Sequence, residues 1–206
     1  MCWNAEVSMQ SFVIGILAIA AGFFYGGIPA TTVFFYGSIV CMQLIEYIIW
    51  TYGAHPTVNF YTSVSAVLLL GIQPVASLLT FIKTPLVPVL SYLALLGVYF
   101  IVHVSFTTKA QLLQQYHMHE TSHGHLAWNW LQPSLLTTVG LIIYFVFLLG
   151  PIVISRHWEL LGIVLCTLIL SLYSYYKYNT WGSMWCWIVL LLVVVSSVRM
   201  VVRAWY

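Results

Sequence analysis

One short segment gathers most of the side chains in this sequence that could bind a metal ion or move a proton. Residues 117–125 read HMHETSHGH, which places four of the seven histidines beside one of only four acidic residues, in a chain without aspartate. Within it, His119, Glu120 and His123 match the pattern H-E-x-x-H. On a helix this spacing lets two imidazoles hold zinc while the glutamate activates water as a general base.

The surroundings of H-E-x-x-H favour a second interpretation. Thr121, Ser122 and Gly124 are weak helix formers, and Leu126 stands where the longer metzincin motif has glycine. A third metal ligand would have to come from one of four other side chains: His103, His117, His125 or Glu46. Two interpretations thus stay open, a site for zinc or another divalent ion, and a solvated loop whose charge changes with pH.

Two ionisable side chains fall within strongly apolar segments. Glu46 shares one face of a predicted helix with Gln43 and Trp50, because the three are spaced i, i+3 and i+7. His103 lies in the last turn of another predicted helix. An ionisable group at membrane depth is costly and suggests function, so Glu46 and His103 join Glu120 as candidate catalytic residues that could bind a divalent ion or exchange a proton. The structural alternative is a neutral Glu46, or an interhelical hydrogen bond between Glu46 and His103.

Gln73 is a further polar residue inside an apolar segment. It precedes Pro74, and a proline in a helix interior frees a backbone carbonyl and kinks the helix. Gln73 is expected either to join helices by hydrogen bonds or to line a pocket together with Gln43 and Trp50.

The four cysteines divide into two pairs. Cys2 and Cys186 are predicted at the same end of the molecule, where a disulfide, two free buried thiols and a shared metal site are the alternatives. Cys41 and Cys166 fall in the middle of predicted spans and are expected to be small core residues.

The composition predicts an integral multi-pass membrane protein. The chain is 62% hydrophobic and 5% charged, whereas a soluble domain carries about 25% charged residues. The lipid bilayer is therefore the predicted partner. A net charge of +2 is too small for a nucleic-acid footprint, while a small-molecule or ion ligand and a homo-oligomer are both compatible with the sequence.

Apolar runs near the length of a membrane-spanning helix recur along the chain. They predict one all-α domain over residues 1–206 with seven transmembrane helices, at about 8–27, 30–52, 58–82, 85–106, 133–154, 158–177 and 181–203. Residues 107–132 are too weakly apolar to span, so this histidine-rich segment is predicted to lie at the membrane interface as a helix anchored by tryptophans. The seventh predicted helix has no mid-span lysine, so a retinal Schiff base is not supported.

The distribution of basic residues predicts an orientation. One side of the seven-helix topology receives Lys83, Arg156, Arg199 and Arg203, and the other receives Lys109 and Lys177. By the positive-inside rule, the C-terminus is predicted in the cytosol and the N-terminus and histidine segment on the exoplasmic side.

Three short motifs together resemble an uncharacterised family of small multi-pass membrane proteins from bacteria and large DNA viruses. Its members open Met-Cys-x-x-Ala, carry Gln-x-x-Glu-(Gly)-x-x-Trp in the second helix, and have Ser-x-Trp-Cys at the start of the last helix. Here the matching stretches are MCWNA at 1–5, QLIEYIIW at 43–50 and SMWC at 183–186, with Tyr47 where glycine is common. The resemblance supports the fold and implies no reaction, but it singles out five residues: Cys2, Gln43, Glu46, Trp50 and Cys186.

These five residues all fall in the exoplasmic half of the predicted topology. We therefore expect a polar pocket there, framed by the first, second, fourth and seventh helices and covered by the histidine segment. A metal-binding protein or membrane-embedded enzyme is the first predicted class. The alternatives are a proton-coupled transporter or channel, with Gln73 at a broken helix, and a structural or assembly protein whose aromatic surface packs on lipid or partner helices.

Overall fold

A computed structural model describes residues 4–205, and most of these residues form helices. The elements in chain order are α1 (Ala5–Gly26), α2 (Ala30–Tyr52), α3 (Pro56–Phe81), α4 (Leu86–Ser105), α5 (Lys109–Gln115), β1 (Met118–Glu120), β2 (Leu126–Trp128), α6 (Leu135–Ile154), α7 (Trp158–Tyr175) and α8 (Trp181–Trp205). One-turn 3-10 helices follow β2 at Asn129–Leu131 and α7 at Tyr176–Tyr178.

Seven of these helices cross the membrane. Within the described residues, every α-helix except the seven-residue α5 is long and apolar enough to span a bilayer. The seven predicted spans are therefore confirmed, and the chain is an integral multi-pass membrane protein with an all-α bundle.

Local sequence explains where several helices begin and end. α1 starts earlier than predicted because the Asn4 side chain accepts a hydrogen bond from the Val7 N–H at 2.8 Å, which satisfies one of the free donors at the helix start. The same helix ends at Gly26 and is capped by Gly27, whose φ of 66° is a left-handed conformation that glycine adopts readily. Ser134 caps α6 by accepting from the Thr137 N–H at 3.0 Å.

Helix α1 lies in close contact with both α2 and α8. The buried residues along it are small at nearly every turn: Ser8, Ser11, Gly15, Gly22 and Gly26. A Cβ atom added to Gly15 would lie 2.8 Å from both Leu190 and Val40. Small residues at such spacing let helix backbones approach closely in a membrane, so α1, α2 and α8 form a tight three-helix seam.

The other four transmembrane helices continue the bundle from this seam. α3 packs against α2 and α6, α7 packs against α8, and α4 packs only loosely on α3 and α6. Tyr92 is the one buried residue of α4, and its hydroxyl donates to the Gly71 carbonyl at 3.0 Å. Most of α4 therefore faces lipid.

The segment between α4 and α6 differs from the predicted interfacial helix. It forms the short helix α5 and an antiparallel hairpin in which Met118 pairs with Trp128. The Asn59 side chain of α3 donates to the Met118 carbonyl at 2.8 Å and accepts from the Met118 N–H at 2.9 Å. Because Met118 and all three residues of β2 are buried, the hairpin belongs to the core at this end of the bundle. We call this end the hairpin side.

Candidate functional site

Glu46 is completely buried within the membrane-spanning part of α2. The hydroxyl of Ser183, in the first turn of α8, donates to the Glu46 Oε1 atom at 2.7 Å. Glu46 lies six residues before the last residue of α2, or roughly two helical turns below the hairpin side. The carboxyl group is therefore held between two helices at some depth in the bilayer.

The contacts of Gly15 show that α1 contributes a residue at the same depth. Gly15 meets Val40 of α2 and Leu190 of α8. Each of these three positions lies seven residues, or roughly two turns, from a residue nearer the hairpin side: Gly15 from Ser8, Val40 from Tyr47, and Leu190 from Ser183. Along the chain, α1 and α8 run away from the hairpin side and α2 runs toward it. Ser8 and Ser183 therefore lie at the depth of Tyr47 and of its neighbour Glu46. Ser8 is fully buried there.

Several buried polar atoms within roughly one helical turn of this level have no hydrogen-bond partner among the described residues. Both ends of the Gln43 amide, one turn below Glu46, are in this state, although Gln43 is fully buried. So are the Ser8 and Thr180 hydroxyls and the Trp50 indole N–H. A buried polar group without a partner is costly, and such groups in native proteins call for a water, ion or ligand as the explanation.

Together these residues define the candidate site, which we call the Glu46 site: Ser8, Gln43, Glu46, Thr180 and Ser183. Its acceptors are oxygen atoms from a carboxyl, an amide and three hydroxyls. Oxygen ligands of this kind bind protons and hard cations such as Mg²⁺ or Ca²⁺. The site is thus chemically able to bind a cation or the donor group of a polar ligand.

The histidine segment does not have the geometry that H-E-x-x-H requires. His119 and Glu120 are exposed neighbours on strand β1, where successive side chains point to opposite faces. His123 lies in the hairpin turn, with its ring centroid 4.1 Å from that of Tyr178. A helix that presents both imidazoles on one face is therefore not formed.

The remaining histidines of the segment lie apart from one another. His117 precedes β1 and is half-buried, while the His125 ring meets Tyr175 edge to face at 5.6 Å. Burial lowers the pKa of His125, and the nearby His123 adds to that shift. No three His, Cys or Glu side chains in residues 4–205 are grouped to hold a metal ion, so a histidine metal site stays a prediction.

His103 belongs to a different part of the bundle from the Glu46 site. It lies on α4, which packs on α3 and α6, and its ring stacks on Tyr99 with centroids 5.9 Å apart. The helices that surround the Glu46 site are α1, α2 and α8. The sequence analysis predicted that the fourth helix, α4, would also frame the pocket, but α4 is not among them.

Gln73 joins helices at the middle of the bundle. Its amide nitrogen donates to the Ser38 carbonyl of α2 at 3.2 Å, and its amide oxygen accepts from the Tyr144 hydroxyl of α6 at 2.5 Å. Pro74 is the next residue within α3, and the two bonds connect α2, α3 and α6 at this point. This geometry matches the first alternative for Gln73, in which it joins helices by hydrogen bonds.

The cysteine alternatives are settled in part. Cys41, Cys166 and Cys186 form no disulfide with one another. Cys41 is half-buried and Cys166 is exposed, so neither is the buried core residue that was expected, whereas Cys186 is buried on α8, three residues after Ser183. Cys2 lies outside the described residues, so its pairing with Cys186 stays a prediction.

One cavity was not anticipated from the sequence. It has a volume of about 120 Å³ and lies between α3, α4, α6 and α8, with β2 and the following 3-10 turn at its hairpin-side end. Nine of its twenty lining residues are aromatic: Tyr92, Tyr99, Phe100, Trp128, Trp130, Tyr144, Phe145, Trp181 and Trp185. We call it the aromatic cavity. The aromatic residues are scattered over five segments, so only the packing of these segments reveals that they meet.

Comparison with known proteins adds no family assignment. No protein-family model matches the chain, and neither do any curated proteins or solved structures.

Proposed function

We propose that this integral membrane protein binds a cation at the Glu46 site, either a proton or a hard metal ion, and that this cation enters from the hairpin side. One observation carries the proposal: the buried Glu46 carboxyl, fixed by Ser183 at 2.7 Å, lies one turn from the Gln43 amide, both ends of which are without a partner among the described residues. In the orientation expected from the basic residues, the hairpin side is exoplasmic.

The Gln43 amide, which has no partner among the described residues, favours a binding role over a purely structural one. A carboxylate at membrane depth is stable only when it is neutral or when donors and positive charge compensate it. Ser183 supplies one donor to Glu46. The Gln43 amide oxygen and the Ser8 hydroxyl add further oxygen atoms, and a cation placed among such groups would satisfy several of them at once.

Catalysis is supported less well than binding. The predicted catalytic set was Glu46, His103 and Glu120, but these residues lie on α2, on α4 and on the exposed strand β1. A general base needs its partner within hydrogen-bond reach of the reacting group. The Glu46 site offers hydroxyls and an amide for binding rather than imidazoles for proton transfer.

A proton-coupled transporter is the second candidate, because the middle of the bundle contains both polar groups and space. A second cavity of about 30 Å³ continues toward the opposite side. Three residues line both this space and the aromatic cavity: Tyr144, Trp185 and Cys186. Gln73, which precedes Pro74 within α3, lines it at the depth where transporters place their substrates.

Carbodiimide labelling in lipid nanodiscs tests the proposal, since a hydrophobic carbodiimide reacts with protonated carboxyl groups inside membranes. The other three glutamates, Glu6, Glu120 and Glu159, are exposed. Peptide mass spectrometry distinguishes a label on any of them from a label on Glu46. We expect Glu46 to be labelled, and labelling to slow as one of Na⁺, Mg²⁺, Ca²⁺ or Zn²⁺ is added. Protection by raised pH alone would assign the site to protons and favour the transporter.

Two serines of α8 provide a matched pair of variants. Ser183→Ala is expected to weaken cation protection, because Ser183 bonds Glu46, whereas Ser197→Ala, which is equally buried but far along the helix, is expected to leave it unchanged. If Glu46 is never labelled, or if neither cations nor pH change its labelling, the proposal fails and a structural or assembly role is favoured.

A further inference from the structure

The aromatic cavity lies on the other side of α8 from the Glu46 site. Gly182 and Trp185 line the cavity, while Ser183 contacts Glu46. One water molecule needs roughly 10–15 Å³ of free space, so a cavity of about 120 Å³ accommodates a group as large as a substituted ring. The two sites are therefore separate places for ligands of different chemistry.

Four of the residues that line the cavity are tryptophans, whose indole N–H groups can donate hydrogen bonds. The indole N–H groups of Trp128 and Trp130 are buried without a partner in the part of the chain that the structure describes, and Trp128 is only 1% exposed. A buried tryptophan N–H usually finds an acceptor. Since indole can donate but not accept, the missing partner is an acceptor such as a carbonyl oxygen.

The wall that separates the cavity from lipid is α4. Its outward surface is aliphatic, with Val87, Leu90, Val98 and Ile101 exposed. On its inner surface, Tyr92, Leu96 and Tyr99 line the cavity. Since α4 packs loosely on its two neighbours, it is the least tightly held part of the wall between the cavity and the bilayer.

We infer that the aromatic cavity binds a bilayer-soluble molecule through a carbonyl group, which accepts from the Trp128 or Trp130 indole, while the aromatic walls enclose the attached ring or chain. Two sources have this chemistry, a quinone and a glyceride ester. The inference is independent of the Glu46 site.

Saturation binding of two radiolabelled probes to the protein in nanodiscs tests this inference, with empty nanodiscs as the blank. The probes are a decyl-substituted benzoquinone and dioctanoylglycerol. We expect at least one probe to saturate at one site per chain, and the probe that does so identifies the source. If both partition without saturation, as into empty nanodiscs, the inference is overturned.

Matched variants locate the site. Gly71 lines the cavity, and a Cβ there would make ordinary contact with Leu96 at 3.5 Å, so Gly71→Leu is expected to fill the space and weaken binding at least tenfold. Gly97→Leu is the control, because nothing lies within 4 Å of a Cβ at this exposed position of α4. Equal affinity in both variants would overturn the inference.

A second pair of variants keeps the test valid should Gly71→Leu fail to fold. Trp128→Phe and Trp130→Phe keep an aromatic ring but remove the donor, and loss of one hydrogen bond corresponds to roughly fivefold weaker binding. Trp50→Phe also removes an unpartnered indole N–H, but outside the cavity, so binding should be unchanged. If neither cavity tryptophan matters, the carbonyl contact is refuted.

Discussion

The two sides of the bundle are packed in opposite ways. At the seam of α1, α2 and α8, small residues bring backbones together, and a Cβ on Gly26 would lie 2.9 Å from the Val201 backbone nitrogen. Around α4, by contrast, one tyrosine is the buried residue of a whole helix, and the aromatic cavity remains inside. The tight seam contains the buried Glu46 carboxyl group, and the loosely packed side contains the aromatic cavity. Rigid packing and space for a ligand are therefore found in two different regions of the chain.

The largest expected effect comes from adding bulk to the tight seam. Gly15→Leu would push against Leu190 and Val40, each 2.8 Å from the new Cβ, and overpacking of this kind costs about 3 kcal/mol. We expect the thermal unfolding midpoint in detergent to fall by roughly 6–12 °C. Gly37→Leu, where a Cβ meets nothing within 4 Å, is the control. Equal midpoints for the two variants would refute the tight seam.

The hairpin tether should give the next largest effect. Asn59→Ala leaves the Met118 N–H and carbonyl without their side-chain partner, at a cost of about 2 kcal/mol. Amide hydrogen exchange across residues 117–128 is expected to accelerate well beyond that of the helices. Asn129→Ala, which removes an exposed hydrogen bond to the Gln114 carbonyl, should change exchange far less. If the two variants behave alike, Asn59 does not hold the hairpin.

The polar contact within the seam has a smaller predicted effect on stability. Glu46→Leu removes the acceptor of the Ser183 hydroxyl, and we expect a loss of about 1–2 kcal/mol. Glu46→Gln keeps an acceptor oxygen and should unfold close to the wild-type midpoint. Chemical unfolding in mixed micelles measures both. If Glu46→Gln proves as unstable as Glu46→Leu, then the charge rather than the hydrogen bond matters for stability.

The smallest effect is expected at the loose side. Tyr92→Phe removes the hydroxyl that donates to the Gly71 carbonyl at 3.0 Å, which is worth about 1 kcal/mol. The same change at Tyr173, which is 91% exposed, should not alter the unfolding midpoint. A Tyr92 effect as large as that of Gly15→Leu would mean that α4 is held as tightly as the seam.

The sequence predicted the spans well because length and hydropathy alone specify a transmembrane helix. The ends of α2 are as predicted, while α1 starts three residues earlier than predicted, where Asn4 caps it, and ends one residue earlier. That Gln43 and Glu46 share one face of α2 also followed from helical spacing, and the structure shows that both are buried. The partnership of Glu46 with Ser183 did not, because it depends on how far α8 is shifted along α2, and that shift is set by side-chain packing.

The hairpin and the aromatic cavity were beyond sequence reasoning for a related reason. Strand β1 is positioned by Asn59, which lies 59 residues away from Met118 along the chain, and a local pattern cannot report such a contact. The cavity exists because α4 stands off from the core. H-E-x-x-H suggested a helix because only the spacing of three residues was considered, whereas the pairing of β1 with β2 decides their geometry.

Infrared difference spectroscopy of the carboxyl stretch tests the central claim, cation binding at Glu46, most directly. The protein would be reconstituted in lipid and compared at low and high concentrations of the cation that protects Glu46, and across pH. We expect a carboxyl band that changes with cation or pH and is absent from Glu46→Gln, while Ser197→Ala retains it. Difference spectra that are the same in wild type and Glu46→Gln under every condition would contradict it.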